Sequence, residues 1–304
     1  MGENTNHLGT TTADDYLKDS QSLLADLTAG NTASERPTPE GVLLVDEATC
    51  TVSDSATAAT AGATGAFVVT EGADMLKLWL QFNNAVTDAS ENSNGGTVTG
   101  TTTYIAAHNS ILNGAFSLNG SSLITVANES QFDFERTAPF SVAFWVKYSS
   151  QNNKVIIGKA TGSIGATGWQ IWLATGLLNV SLTNTDATNQ VRVTCSDTAI
   201  DDDLWHHVVV TYSGSSTAAG VKVYFDSVSQ SLTTVTNNLN ATILNNTAVV
   251  IGALPGGTNY YTGGIDDVRI YNIELSAAQA GYLFTNYRSI YDPPGVVSFS
   301  DTAA

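Results

Sequence analysis

Short runs in which apolar and polar residues alternate, each closed by Gly, Asn or Asp, recur from Leu76 to about Tyr287. Alternation sends successive side chains to opposite faces of an extended strand. It predicts strands at Leu76–Phe82, Gly114–Leu118, Leu123–Val126, Phe140–Tyr148, Val155–Lys159 and Gly168–Ala174. Further strands are predicted at Leu177–Leu182, Gln190–Cys195, Trp205–Tyr212, Val221–Phe225, Ala248–Ile251 and Ile265–Tyr271. No helical period is sustained between them, so the expected class is all-β, a sandwich of two antiparallel sheets. One short helix is expected after the last strand, over Ser276–Phe284, with Ser276 as its cap.

The pattern changes toward the N-terminus. Residues 1–40 are polar apart from one helical signal: Thr12 precedes Asp14 and Asp15, and Tyr16, Leu17, Leu23, Leu24 and Leu27 fall on one helical face before Gly30. Pro37 and Pro39 mark a boundary, and Gly41–Val45 and Gly65–Val69 read as a strand pair. The chain therefore divides into an N-terminal extension (1–73), a sandwich (74–287) and a C-terminal tail (288–304). The apolar stripe of the extension needs a surface to cover it. Other subunits of an assembly are the expected partner, which makes the chain an expected oligomer.

Composition narrows the function. Charged residues make up only 13% of the 304, about half the usual share, so Thr, Ser and Asn must carry solubility. There are 11 Lys plus Arg against 28 Asp plus Glu, a net charge of −17. With no basic patch to neutralise phosphates, nucleic acid is excluded as an expected partner, while cations and basic surfaces remain. No run approaches the roughly 20 apolar residues of a membrane span, so no membrane insertion is expected. Met1–His7 shows no basic region with an apolar segment after it, hence no secretory signal is read. The expected location is a virion surface, or the extracellular space if a signal has been removed. Cys50 and Cys195 either pair or remain buried thiols.

One strand carries unusual chemistry. In Gly263-Gly264-Ile265-Asp266-Asp267-Val268-Arg269-Ile270-Tyr271-Asn272, strict alternation puts Asp266 on the face of Val268 and Ile270, and Asp267 on the face of Arg269 and Tyr271. An Asp among core aliphatics needs a cation or backbone amides. Asp267 is expected to be a solvent-facing partner for Arg269.

The order of motifs is itself informative. Leu78-Trp79-Leu80-Gln81-Phe82 precedes the Asp88–Thr97 loop, then Gly114–Ser121 and Phe140–Lys147. Trp205–Tyr212, Val223-Tyr224-Phe225-Asp226 and the acidic strand follow, and the Leu275-Ser276-Ala277-Ala278 helix start closes the series. This succession resembles the laminin G-like, concanavalin A-like lectin/glucanase superfamily, in its microbial, pentraxin-like branch, over about residues 74–287. The resemblance implies a jelly-roll sandwich. Ser227 stands where the family usually has Gly after Tyr-x-Asp, so that hairpin turn is expected to differ.

In family members with a calcium site, the loop matching Asp88–Thr97 lies near the start of the last strand. The resemblance thus implies Asp88, Asn92, Asn94 and Asp266 as candidate ligands for Ca²⁺, against the alternative of a loop held by its own Asx hydrogen bonds. Glucanases of this fold resemble one another in a Glu-x-Asp-x-x-Glu strand that supplies acid and nucleophile. No such strand occurs in this chain, and Asp201-Asp202-Asp203 reads as a solvated turn. No nucleophile elbow, phosphate loop or zinc motif appears, so no enzymatic activity is expected. His206 and His207 point to opposite faces of a strand and are read as structural.

Carbohydrate is the ligand the fold suggests. Trp169 and Trp172 have opposite parity, so one is expected to face outward or line a sheet. Trp145 and Trp205 are expected in the core. Tyr260 and Tyr261, in a Gly-rich loop, are expected to be exposed contacts. The expected function is a non-catalytic adhesive surface protein of a phage or virus particle. The alternatives are a secreted calcium-dependent lectin or carbohydrate-binding module of a marine microbe, and an assembly block without ligand.

Overall fold

A computed structural model describes residues 75–285 except 91, 102, 111, 128 and 197–199, together with two short strand segments at residues 66–67 and 297–298. The expected N-terminal helix, the strand at Gly41–Val45, Cys50 and most of the tail lie outside the described residues.

In chain order the strands are β1 (Ala66–Phe67), β2 (Leu76–Leu80), β3 (Thr97–Thr99), β4 (Thr103–Ile105), β5 (Ala115–Asn119) and β6 (Leu123–Val126). Next come β7 (Phe140–Lys147), β8 (Lys154–Ala160), β9 (Gly168–Ala174), β10 (Leu177–Thr185), β11 (Asn189–Cys195) and β12 (His206–Tyr212). The series closes with β13 (Val221–Phe225), β14 (Val228–Ser229), β15 (Leu232–Asn237), β16 (Val249–Ile251), β17 (Thr262–Tyr271) and β18 (Val297–Ser298). The helix α1 (Ala277–Thr285) follows β17. All twelve predicted strands are present.

Two antiparallel sheets form a jelly-roll sandwich. The first has the order β15-β11-β10-β9-β8-β16-β6-β3. The second runs β14-β13-β12-β7-β17-β5-β4, with β2 also paired to β17. Inward positions interdigitate into one core that includes Val142, Phe144, Ile171, Leu182, Val208 and Ile270, all buried. Burying each such side chain contributes about 1.5–3 kcal/mol before entropy is counted.

Strict alternation fails in β17. Asp266 pairs with Trp145 and Arg269 with Ala143, so three steps on β17 match two on β7. The extra residue is accommodated at Asp267, whose φ of 48° is left-handed. This bulge corrects the expected faces. Ile265, Val268 and Ile270 point into the core, while Asp266 lies on the outer face with Arg269 and Tyr271. Asp267 is also buried rather than solvent-facing, although its pairing with Arg269 is present.

That outer face is covered in turn by α1. Tyr271, Leu275, Ala280 and Leu283 gather with Trp79, Ala143 and Val209 into a second, smaller core. The helix starts with a reciprocal cap: Gln279 N–H donates to Ser276 Oγ at 3.2 Å, and Ser276 N–H donates to Gln279 Oε1 at 2.8 Å. At the opposite end of β17, Gly263 has no alternative. Its φ is 147°, and a Cβ there would meet the Lys147 carbonyl oxygen at 2.3 Å.

The β13–β14 hairpin turns through Asp226 (φ 47°) and Ser227 (φ 69°), the two-residue geometry that needs a left-handed backbone at both positions. Ser227 therefore holds a conformation that glycine adopts without a Cβ penalty. Ser227→Gly is expected to stabilise the fold by about 1 kcal/mol. The check is a higher urea midpoint with an unchanged slope.

Candidate functional site

Strands β9, β10 and β11 alternate cleanly, and the centre of their outer face is polar yet buried, with Gln170, Asn179, Ser181, Thr183 and Gln190 at 1% exposure or less and Trp172 at 4%. Trp172 sits opposite Asn179, and Asn179 opposite Thr194. One step along, Gln170 sits opposite Ser181, and Ser181 opposite Arg192. The inward positions Trp169, Ile171, Leu178, Val180, Val191 and Val193 belong to the main core. Trp172 thus fulfils the outward parity predicted for one of the two tryptophans, and Trp169 is a core residue, not a ligand platform.

The outer face is tightly organised. The Arg192 guanidinium lies 4.6 Å from the Trp172 ring centroid, within cation–π range. Its Nη2 donates to Asn179 Oδ1 at 3.2 Å, and Thr194 Oγ1 donates to the same oxygen at 2.7 Å. The loop before β9 folds over the face: Gly165 N–H donates to Gln170 Oε1 at 2.9 Å, and Gln170 Nε2 donates to Ser163 O at 3.0 Å. Ile164 from that loop packs against the cluster of Trp172, Val155 and Leu254.

Three polar atoms on this face are buried without a hydrogen-bond partner: Trp172 Nε1, Ser181 Oγ and Arg192 Nε. They come from three adjacent strands. Each such atom costs about 1–3 kcal/mol, and native folds seldom leave them so placed without a use. Trp145 Nε1 and His207 Nδ1 are also unpartnered, but on the outer face of the second sheet, near Phe284 of α1.

The other sequence candidates fall elsewhere. Tyr261 is fully buried, and its hydroxyl meets the carbonyls of Lys147 (3.2 Å) and Gly264 (3.1 Å), so the expectation of exposure fails. Tyr260 is half-buried against Leu123, Val250 and Ala253. Trp145 is buried, but under α1 on the outer face and not in the main core, where His108 stacks on it at 4.1 Å. Trp205 is half-buried just before β12, and its ring occupies the space beside Gly264.

The implied calcium ligands do not gather around one point. Asp88 Oδ1 accepts from Trp79 N–H (2.8 Å) and Ser90 N–H (2.9 Å), and its Oδ2 accepts from Ser90 Oγ and Asn94 N–H (both 2.7 Å). Four donors fill the lone pairs of a carboxylate. The side-chain amides of Asn92 and Asn94 donate to the carbonyls of Leu76 and Lys77 in β2. Asp266 faces His108, with Oδ2 2.6 Å from Nδ1. Burial raises its pKa, and the bond to His108 opposes that rise. The loop is thus held by its own Asx bonds, and the four residues as arranged do not fit a calcium cage. Among the described residues, no three His, Cys, Asp or Glu side chains form a metal-holding group.

His206 and His207 have separate roles. His206 bridges Asp226 Oδ2 (2.7 Å) and Asp202 Oδ1 (3.1 Å). Partial burial works against its charge, yet the two carboxylates outweigh it and raise its pKa. His207 faces the opposite side, buried near Trp145, and desolvation pushes its pKa down to about 3.

Arg192, Asn179 and Ser181 escaped the sequence reading. Their signal was available in the alternation Asn179-Val180-Ser181-Leu182-Thr183 and Gln190-Val191-Arg192-Val193-Thr194. A second signal is compositional. None of the eight strands of the first sheet contains Asp or Glu, although the chain has 28 of them.

The comparisons agree with this architecture. The family model for the concanavalin A-like lectin/glucanases superfamily, laminin G type, matches residues 99–281. A search of curated proteins finds no match. Among solved structures, the binding domain of Paraclostridial Mosquitocidal Protein 1 aligns with TM-score 0.55 and 19% identity, over 71% of this chain and 53% of that one. The binding domain of botulinum neurotoxin DC, solved in complex with rat synaptotagmin II, gives 0.54 and 18%, over 70% and 52%. A botulinum neurotoxin type C structure, whose cell entry is described as dependent on two ganglioside molecules, gives 0.51 and 18%, over 70% and 51%. At these identities the likeness is one of fold. The chain spans about half the length of these neighbours.

Proposed function

Because this chain belongs to the concanavalin A-like lectin/glucanases superfamily, we propose that it is a non-catalytic carbohydrate-binding module that uses the outer face of the first sheet around Trp172. The observation carrying the proposal is the set of three buried polar atoms without a hydrogen-bond partner on that face, the indole's own Nε1, Ser181 Oγ and Arg192 Nε. A sugar presents C–H faces that pack on an aromatic ring and hydroxyls that answer fixed donors and acceptors, and ligand sites combine those two features. Glycoside hydrolysis on the same face would need two carboxyl groups, and its strands supply none. That solved neighbours of this fold are binding domains is in keeping with this reading.

A glycan array probed with the full chain tests the proposal. Trp172→Ala is expected to lower binding about tenfold, which corresponds to about 1.4 kcal/mol of lost contact. Chelation with EDTA is expected to leave binding unchanged, because the oxygens of Asp88 are already occupied. Equal binding by wild type and a folded Trp172→Phe variant, together with binding unchanged in Ser181→Ala, would overturn the assignment of the face.

The setting forms the finer part of the proposal. The module is displayed on an assembly such as a phage or virus particle, with residues 1–73 as the segment that meets other subunits. Its support is the apolar stripe of Tyr16, Leu17, Leu23, Leu24 and Leu27 and a Thr- and Asn-rich chain with few charges. Light scattering on the full chain is expected to show an oligomer that deletion of residues 1–73 converts to monomer. A full chain that is already monomeric would exclude it.

A further inference from the structure

We infer that the loop 161–167, between β8 and β9, is a lid closed over the face around Trp172, and that Ile164 stands there in the place of a ligand. This rests on the carbohydrate-binding reading above and adds the step that regulates it.

The loop is fixed at its stem and lightly held at its tip. At the stem, Thr161 N–H donates to Thr167 O at 3.0 Å, Thr167 Oγ1 donates to Asn184 O at 2.7 Å, and Asn245 Nδ2 donates to Thr167 O at 3.2 Å. At the tip, a single side chain reaches up from the sheet: Gln170 Oε1 accepts from Gly165 N–H, and Gln170 Nε2 donates to Ser163 O. Ile164 adds the apolar contact, half-buried against Trp172, Val155 and Leu254. Between stem and tip, Gly162 has a φ of 101°, and no atom lies within 4 Å of where its Cβ would stand. Its backbone turns without a clash of its own, which suits a hinge.

The face beneath makes the closed state costly. Trp172 is 4% and Ser181 1% exposed, yet Trp172 Nε1, Ser181 Oγ and Arg192 Nε have no hydrogen-bond partner. With the lid closed these atoms have lost water and gained nothing; with it open they recover water. A segment with few apolar contacts belongs to the low-stability end of a fold, from which moving loops are drawn. Ile164 is the group that a ligand must replace. A pyranose laid on the indole presents C–H groups to the ring as Ile164 does. Its hydroxyls can answer the Gln170 amide once Ser163 and Gly165 have left it. The binding-competent state is therefore the open one, and the affinity of the free chain is reduced by the fraction of molecules that are open.

The test is Ile164→Ser in the full chain, probed with acrylamide, which quenches exposed indoles, and with the glycan array. The variant is expected to gain a quenchable indole that disappears when Trp172→Phe is added. Its binding on the array is expected to rise about threefold or more, as a larger open fraction requires. Ile164→Val is expected to act in the same direction and less strongly. In wild type, the Gly165 N–H is expected to exchange with deuterium about tenfold or more faster than the amides of β9, since the tip opens without unfolding the sheet. Unchanged quenching in Ile164→Ser overturns the inference. So does array binding that stays level or falls, as it would if Ile164 belonged to a fixed site, and so does a Gly165 amide that exchanges no faster than β9. A newly quenched Trp172 with no glycan bound by any variant leaves the lid standing and overturns the carbohydrate reading instead.

Discussion

Arg269→Ala is expected to destabilise the fold by about 3–5 kcal/mol, the cost of stranding a buried charge. Arg269 is 1% exposed and grips Asp267 with two bonds, Nε to Oδ1 at 3.0 Å and Nη2 to Oδ2 at 2.8 Å. The Trp79 ring lies 4.5 Å from the guanidinium carbon, and Trp79 Nε1 donates to Asp267 Oδ1 at 2.5 Å. At the bulge, the left-handed Asp267 holds its carboxylate against Arg269 on the outer face. Removing the arginine leaves the carboxylate buried with Trp79 as its remaining named donor. Urea unfolding is the check. The double replacement Asp267→Ala with Arg269→Met is expected to be less destabilising than Arg269→Ala alone, since neither charge is then left without the other. A cost below about 1 kcal/mol for the single change would show that the pair does not hold the bulge.

Acidification from pH 6.5 toward 3 is expected to cost the fold several kcal/mol, and His207 is the main cause. Desolvation holds its folded pKa near 3, against the attraction of Asp267. An unfolded His titrates near 6.5, so across this window the unfolded chain binds a proton that the folded chain refuses. Stability therefore falls as pH falls, by up to about 1.4 kcal/mol per pH unit. Two other groups act in the opposite direction. Burial raises the pKa of Asp266, so the folded chain takes up that proton first and gains as pH drops through the acid range. His206 is held above its ordinary value by Asp226 and Asp202 despite partial burial; its contribution is present below pH 6.5 and lost as pH rises through its folded pKa. His207→Gln is expected to flatten the acid limb of a plot of unfolding free energy against pH. An unchanged slope in that variant would assign the acid sensitivity elsewhere.

These two predictions depend on features that the sequence shows unequally. Strands such as Phe140–Lys147 announce themselves as apolar runs, because both faces are buried, Val142, Phe144 and Val146 in the main core and Ala143 under α1. Within the sandwich, the strands that alternation misses are Thr97–Thr99, Thr103–Ile105, Val228–Ser229 and Leu232–Asn237. They are largely exposed, and Val98, Tyr104 and Leu232 are the side chains by which three of them touch the main core. The bulge at Asp267 is a tertiary outcome: an Asp tolerates a left-handed backbone, but nothing local requires one. Tyr261 misleads in a comparable way. Glycines around it suggest an exposed loop, and only the folded chain reveals the two carbonyls that its hydroxyl reaches. In the candidate site the parity of Trp172 is legible from Trp169 three positions earlier. The stacking of Arg192 on it is not, because β9 and β11 are joined only through the register of β10.

The position of β17 has a consequence for how the molecule is made. It is the last strand of the sandwich in sequence, yet it lies inside its sheet, with β7 on one side and β5 and β2 on the other. Val268 pairs with Leu80 and Tyr271 with Leu76, so the first strand of the sandwich waits for the last. A ribosome-bound chain that ends before Val268 has both flanks of the second sheet without the strand that joins them. Such pairings across nearly the whole sequence close large loops and slow folding. The second sheet is therefore expected to close only after synthesis has passed β17.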